Sequence, residues 1–128
     1  MTRPPAFAKI STQAAGAAAE QTAAAQIQAA GLRILAHNYK TPGRGGGEID
    51  LIAQERDGTL VFVEVRTRAD DAHGGAAASV TARKRQRIVL AARHYLLRWP
   101  QPPACRFDVI AVQGTAVQWL RAAFDAGL

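Results

Sequence analysis

Three acids sit inside two runs of aliphatic residues. Glu48 and Asp50 interrupt Gly47-Glu48-Ile49-Asp50-Leu51-Ile52-Ala53, and Glu64 interrupts Leu60-Val61-Phe62-Val63-Glu64-Val65-Arg66. A carboxylate buried among Ile, Val and Phe is costly unless a cation, a metal or a hydrogen-bond donor compensates it. Acids placed this way point to a site that gathers negative charge, with the Arg66 guanidinium two residues beyond Glu64. Carboxylate oxygens are what a hard divalent cation takes as ligands.

Whether the acids meet depends on the connection between the two runs, Gln54-Glu55-Arg56-Asp57-Gly58-Thr59. Short apolar runs bounded by glycine and polar residues read as a β-hairpin. Side chains alternate along a strand. Glu48, Asp50 and Ile52 are therefore expected on one face of the first strand, and Leu60, Phe62, Glu64 and Arg66 on one face of the second. A two-residue loop, Asp57-Gly58, pairs Asp50 with Val65 and turns Glu64 away. A three-residue loop, Arg56-Asp57-Gly58 with Gly58 left-handed, pairs Asp50 with Glu64. The second arrangement, or another of its parity, is the one expected.

An Asp followed by Glu-x-Arg resembles the Asp…(Asp/Glu)-x-Lys signature of restriction-endonuclease-like nucleases. The longer strings, Gly-Glu-Ile-Asp-Leu-Ile-Ala and Val-Phe-Val-Glu-Val-Arg-Thr-Arg, resemble the YraN-like family of small bacterial proteins. That family is assigned to the same nuclease fold, close to archaeal Holliday-junction resolvases. The resemblance implies an α/β fold with a mixed central sheet flanked by helices. It implies Mg²⁺- or Mn²⁺-dependent hydrolysis of phosphodiester bonds, on branched or single-stranded DNA, with DNA favoured over RNA. Asp50 and Glu64 become the metal ligands, the Val65 carbonyl a further one, and Glu48 and Glu20 additional ligands, direct or through water. Gly16-x-x-x-Glu20 is a partial match to the family's Gly-x-x-Gly-Glu helix motif, with Ala19 in place of the second glycine. Lys84 matches a lysine that recurs in the family, and Phe107-Asp108 matches its late strand.

Arg66 departs from the nuclease pattern, which has lysine there. Arginine stays protonated and cannot take a proton from water, but it can bind phosphate bidentately and stabilise charge in the transition state. Three functional classes follow. In a nuclease the metal-bound water needs no protein base, or Lys84 helps. In a binding module Arg66 grips nucleic acid without cutting. In an interaction protein the acids form structural ion pairs, Asp50 with Arg66 for instance.

The supporting elements are legible around this hairpin. Ser11 to Ala30 is mostly Ala and Gln without proline, and reads as one helix stopped at Gly31. Glu20 shares a stripe with Ala17, Ala24 and Ile27 and is expected to point inward. Leu32 to Tyr39 reads as the first strand. Lys40-Thr41-Pro42-Gly43-Arg44-Gly45-Gly46-Gly47 reads as a loop, either a plain connector or one whose backbone approaches a phosphate while Lys40 and Arg44 supply charge. Thr81 caps a helix that runs to Trp99, with Ile88, Ala91, Ala92, Tyr95 and Leu96 as its core stripe. Lys84 continues that stripe at the first turn, where anions are favoured, and Arg83, Arg85 and Arg87 flank it. Tyr95 and Trp99 are expected in the core rather than as base-stacking platforms. Arg106 to Val112 and Ala116 to Leu120 read as two further strands, with Ala122 to Ala126 a brief tail and Asp108 in a structural role.

At 128 residues the chain makes one domain, residues 11–128, behind a loose tail over residues 1–10. The net charge of +6 favours polyanions. No acid lies between Asp71 and Asp108, so that half, with Arg68 before it, is the candidate nucleic-acid footprint. One cysteine, Cys105, excludes an internal disulfide and a Cys-rich zinc site. His37, His73 and His94 have no ligand spacing, and no Ser-His-Asp or Cys-His arrangement supports acyl transfer. Asp70, Asp71 and His73 read as a solvated loop. The absence of a signal-peptide core or an apolar span predicts a cytoplasmic protein with no membrane partner. Cutting a junction needs two sites, hence a homodimer, for which Val117, Trp119 and Phe124 are the candidate contacts.

Overall fold

A computed structural model describes residues 12–67 and 80–126. In chain order they form helix α1 (Thr12–Ala29), strands β1 (Arg33–Lys40), β2 (Glu48–Gln54) and β3 (Leu60–Thr67), helix α2 (Ala82–Leu96), and strands β4 (Cys105–Gln113) and β5 (Ala116–Phe124). The five strands make one sheet in the order β1-β2-β3-β4-β5. β3 and β4 run parallel, joined through α2, and the other neighbours are antiparallel. This is a single α/β domain with a mixed sheet between two helices, as expected of a restriction-endonuclease-like protein. The tail over residues 1–10, Arg68, Asp70, Asp71 and His73 lie outside the described residues.

The apolar run that begins at Leu60 becomes the middle of the sheet, and Leu60, Val61, Phe62 and Val63 are wholly buried. Alternation divides it between two cores. Val61 and Val63 join Leu51, Ala53, Ile110 and α1, whereas Leu60 and Phe62 join Ile52, Phe107, Val109 and α2. On α2 the buried residues are Ile88, Ala91, Ala92 and Tyr95, the stripe expected from helical spacing. Thr81 caps it, its hydroxyl accepting from the Lys84 N–H at 3.2 Å. The helix ends at Leu96, three residues short of Trp99, because the chain tightens into i→i+3 bonds before Pro100.

α1 sits on the sheet through Ala19, Ala23 and Ile27. Ile27 belongs to the expected stripe and Ala24 packs beside it, but Ala19 and Ala23 take the buried positions expected of Glu20 and Ala24, and Ala17 is exposed. Alanine is tolerated on any face, so its spacing alone did not fix the phase. Gly31 stops the helix at φ +94, and Leu32 folds back to bond the Ile27 carbonyl.

Strand β5 runs on to Phe124, so the expected tail from Ala122 is mostly strand. The register shifts between Phe107 and Val109, and Ala122 takes a left-handed φ of 50 opposite that shift. Such a bulge is hidden in a run of Ala and Arg. Asp108 holds it, accepting from the Ala122 N–H at 2.9 Å, from Trp119 Nε1 at 2.9 Å and from Arg106 Nε at 3.0 Å. Arg106 also pairs with Glu55 at the hairpin loop. Asp108 is wholly buried and structural, as expected. Asn there turns one acceptor into a donor facing donors, so Asp108→Asn is expected to cost about 2 kcal/mol. A lower denaturation midpoint with an unchanged slope, and altered Trp119 fluorescence, will read it.

Candidate active site

The loop between β2 and β3 is the three-residue form. Glu55 N–H bonds the Thr59 carbonyl at 2.9 Å, and Gly58 takes φ +96. The Asp57 carboxylate accepts from the Thr59 N–H, which helps to hold it below the usual carboxylate range. Paired residues run from Gln54–Leu60 to Leu51–Val63. The next step places Asp50 beside Glu64, and there the ladder between the strands ends. The Val65 N–H is satisfied instead by Asp50 Oδ2 at 2.8 Å. Asp50 thus stands where the two strands part.

Strict alternation fails at that point. Ile49 and Ile52 both pack on the α2 side, with Leu51 on the α1 side between them. The expectation that Glu48, Asp50 and Ile52 share a face is therefore corrected. Asn38, in the stretch of β1 opposite Asp50, has φ +49. Asparagine tolerates that conformation better than most residues. A kink of this kind leaves no mark on an apolar-polar pattern.

Glu64 is 2 % exposed. The Lys84 ammonium lies 2.9 Å from its Oε2, and Arg66 Nη1 lies 3.8 Å from the same oxygen. Apart from those cations, neither carboxylate oxygen meets a well-oriented hydrogen-bond donor among the described residues. Burial, and then the Asp50 charge, push the Glu64 carboxyl up to about 7, against the opposing pull of Lys84. Arg66 Nε is also buried without a partner, and among the described residues Arg66 faces Glu64 rather than Asp50. Glu20 reaches the same neighbourhood from α1, half-buried. Its carboxyl is raised by burial and by the Asp50 charge, partly offset by the Asn38 amide.

The donor set fits a hard divalent cation. Two carboxylates converge, one with a buried oxygen lacking a donor, and Glu20 stands behind them. Among the described residues no group of three or more His, Cys, Asp or Glu is placed to hold a metal ion. Open positions suit Mg²⁺, which is held by one or two carboxylates and otherwise by water and phosphate.

Sequence comparison places this geometry in a family. The profile of the uncharacterised protein family UPF0102 matches residues 19–112. A UPF0102 protein of Paracidovorax citrulli is 73 % identical over 119 residues, covering 93 % of this chain and 88 % of that protein. One from an Acidovorax species is 63 % identical over 115 residues, covering 90 % and 87 %. One from Albidiferax ferrireducens is 61 % identical over 112 residues, covering 88 % of each. The chain belongs to the UPF0102 family. The YraN-like resemblance read from the hairpin is to this same family.

The basic residues expected to meet nucleic acid do not all share one surface of this UPF0102 protein. Lys40, Arg83 and Arg87 line a cleft of about 660 Å³ between α2 and the glycine loop, with Gly43, Gly45 and Glu48. Arg87 pairs with Glu48 at 3.3 Å, so Glu48 is half-covered by that contact and belongs to the cleft wall. Arg44 is exposed in the loop. Lys40 is the last residue of β1, not part of the loop. Arg85 lies on the opposite flank of α2, its Nε bonded to the Val80 carbonyl at 3.1 Å and its guanidinium over Phe124. Arg68 is outside the described residues. Val117, Trp119 and Phe124 are each engaged within the fold, in the α1-side core, with Asp108 and against Phe107 respectively.

Sequence reasoning missed a cluster at the far end of α2. Tyr39 hydroxyl and His94 Nδ1 are 2.5 Å apart, and the Arg98 guanidinium lies 4.1 Å from the Tyr95 ring centroid and 5.4 Å from that of Tyr39. The signal was the spacing of Arg83, Arg87 and His94, which repeats one side of a helix, with Arg98 beyond. Among the described residues no helix is long and apolar enough to cross a membrane.

Proposed function

We propose that this UPF0102 protein is a Mg²⁺- or Mn²⁺-dependent endonuclease that hydrolyses phosphodiester bonds in DNA. The reading rests on one observation: Asp50 and Glu64 converge where β2 and β3 part, and Glu64 keeps a buried oxygen without a hydrogen-bond donor. Asp50, Glu64 and, through water, Glu20 would hold the cation, with the Val65 carbonyl a further candidate ligand. A cation held there supplies charge neutralisation on the phosphate and an acidified water. Arg66 sits beside Glu64 to bind a phosphate oxygen and stabilise developing charge. Lys84 balances Glu64, and Arg83, Arg87 and Lys40 meet the sugar-phosphate backbone in the cleft beside the glycine loop.

Labelled branched, duplex and single-stranded DNA, incubated with Mg²⁺, Mn²⁺ or chelator, test the reading. Cleavage should need metal and be lost in Asp50→Ala and Glu64→Ala. Full metal-dependent cleavage by Glu64→Ala would refute the assignment. A second reading, a nucleic-acid-binding module without catalysis, is favoured by Arg66, which cannot act as a base. Arg66→Lys separates the two. It restores a side chain able to take a proton, so a nuclease limited by that step should cut roughly tenfold faster. Salt-sensitive binding with no cleavage in either protein favours the binding module.

A further inference from the structure

The Tyr39–His94 bond ties β1 to α2, and Arg98 lies over the pair from just past the helix end. Tyr39 and Tyr95 touch edge-to-face at 5.1 Å without Arg98, and Tyr95 already fills the core against Phe62. Arg98 is nonetheless pinned. Its Nη1 donates to the Tyr95 carbonyl at 3.3 Å and to the Tyr39 hydroxyl at 3.5 Å, and its plane lies over both rings. An exposed arginine fixed in this way loses little side-chain entropy on binding an anion. One guanidinium nitrogen caps the helix end; Nη2 is left without a bond among the described residues. His94 uses Nδ1 on Tyr39 and keeps Nε2 outward.

The position of the cluster matters as much as its chemistry. Arg83, Arg87 and His94 recur on one side of α2, the side that faces β1 and the glycine loop, and Arg98 follows just past its end. No acid occurs in α2. In the cleft that the stripe continues, Glu48 is the one acidic lining residue among those described, and it is paired with Arg87. Lys84, which touches Glu64, precedes the helix end at Leu96 by twelve residues, or about 18 Å along the axis, and Arg98 lies just past that end.

Resting on the nuclease reading, we infer that Tyr39, His94 and Arg98 form a second backbone-phosphate station for a DNA duplex whose reacting phosphate lies at Asp50 and Glu64. With the duplex lying along α2, each base pair advances about 3.4 Å along the axis, so the station meets the backbone about five or six base pairs from the reacting phosphate; there the cleaved strand has turned to the far side, and the facing phosphate belongs to its complement. The substrate must therefore be double-stranded on that side of the cut, and a shorter duplex forfeits the contact.

Binding measured in chelator separates this from the cleavage question. Fluorescence anisotropy with hairpin duplexes whose stems are about 4 and about 20 base pairs would be recorded as a function of salt for the wild type, Arg98→Gln and Arg98→Lys. On the long duplex Arg98→Gln should weaken binding roughly tenfold and flatten the slope of log K against log salt by about one, and Arg98→Lys should keep the slope. On the short duplex the three proteins should bind alike. Equal affinity and slope at both lengths would overturn the inference and leave the nuclease reading standing. So would a loss of affinity equal at both lengths with an unchanged slope, which marks a merely structural arginine. Wild-type protein that binds neither duplex would overturn the station, and the nuclease reading then stands or falls on the cleavage assay with metal.

Discussion

Glu64→Gln is expected to stabilise the metal-free protein above about pH 7 and to abolish metal-dependent cleavage. The carboxyl of Glu64 is 2 % exposed and its pKa is raised from 4.5 to about 7, first by burial and then by Asp50. The folded state therefore keeps a proton over a range in which the unfolded chain has released it. That contribution is fully present below about 4.5 and is lost as pH rises through about 7. At about 1.4 kcal/mol per pKa unit, the ionised protein carries a penalty on the order of 3 kcal/mol. Gln keeps the shape and removes the charge, so the variant should gain roughly 2–3 kcal/mol at alkaline pH and almost nothing in acid. Lys84, which loses its partner, is 40 % exposed and turns to water at little cost. Urea unfolding in chelator on both sides of neutrality is the measurement. A variant less stable than wild type at alkaline pH would mean that Glu64 serves as a structural ion-pair partner, and the site assignment would fall.

The same titration predicts the activity profile. Protons and a divalent cation compete for one carboxylate, so cleavage should rise with pH and level off above about 7. Added Mg²⁺ should raise the unfolding midpoint of the wild type, because a ligand that binds only the folded state stabilises it. In Glu64→Gln that gain should vanish. Stability and activity then move in opposite directions on a single substitution, which a purely packing role does not produce.

The fold and the central acids were legible because they depend on local rules. Alternation, the Arg56-Asp57-Gly58 loop and the Ile88–Tyr95 stripe each follow from a period or a turn residue. The phase of α1 was not legible, since alanine carries no preference for a face, and Glu20 came out at the edge of the buried stripe instead of within it. The kink that carries Asn38 opposite Asp50, and the bulge at Ala122, were illegible for another reason. Both are held by a side chain or register distant in sequence, Asp108 in the second case. Arg85 was grouped with Arg83 and Arg87 by composition, yet two residues along a helix turn a side chain by about 200°, and it faces Phe124. Arg98 and His94 are not legible as a pair in the sequence, because nothing in the run from Thr81 to Trp99 marks the two as sharing a partner. The sheet partner Tyr39, which organises them, lies on a different element.

Gly47→Ala is expected to be the most damaging small substitution in the glycine loop. The sequence Gly45-Gly46-Gly47 suggests a flexible connector, or backbone kept bare for a phosphate. Gly47 is instead buried against α2. A Cβ there would run into the Arg87 carbonyl oxygen and come within 2.7 Å of the Ala91 nitrogen. Both are helix backbone, which cannot rotate away as a side chain would. The helix has to move bodily, and α2 carries Lys84 against Glu64 and Arg87 against Glu48. Overpacking of this kind costs up to about 3 kcal/mol or more, and here it should disturb cleavage even in the molecules that remain folded. Gly43 and Gly45 have open space but positive φ, so alanine at either should cost only about 1 kcal/mol. Gly16, inside α1 with nothing within 4 Å, should gain up to about 1 kcal/mol as alanine. Denaturation midpoints for the four variants test the ranking directly. If Gly47→Ala folds as stably as Gly43→Ala, α2 does not rest on the start of β2 as described, and the cleft it forms with the loop has to be redrawn.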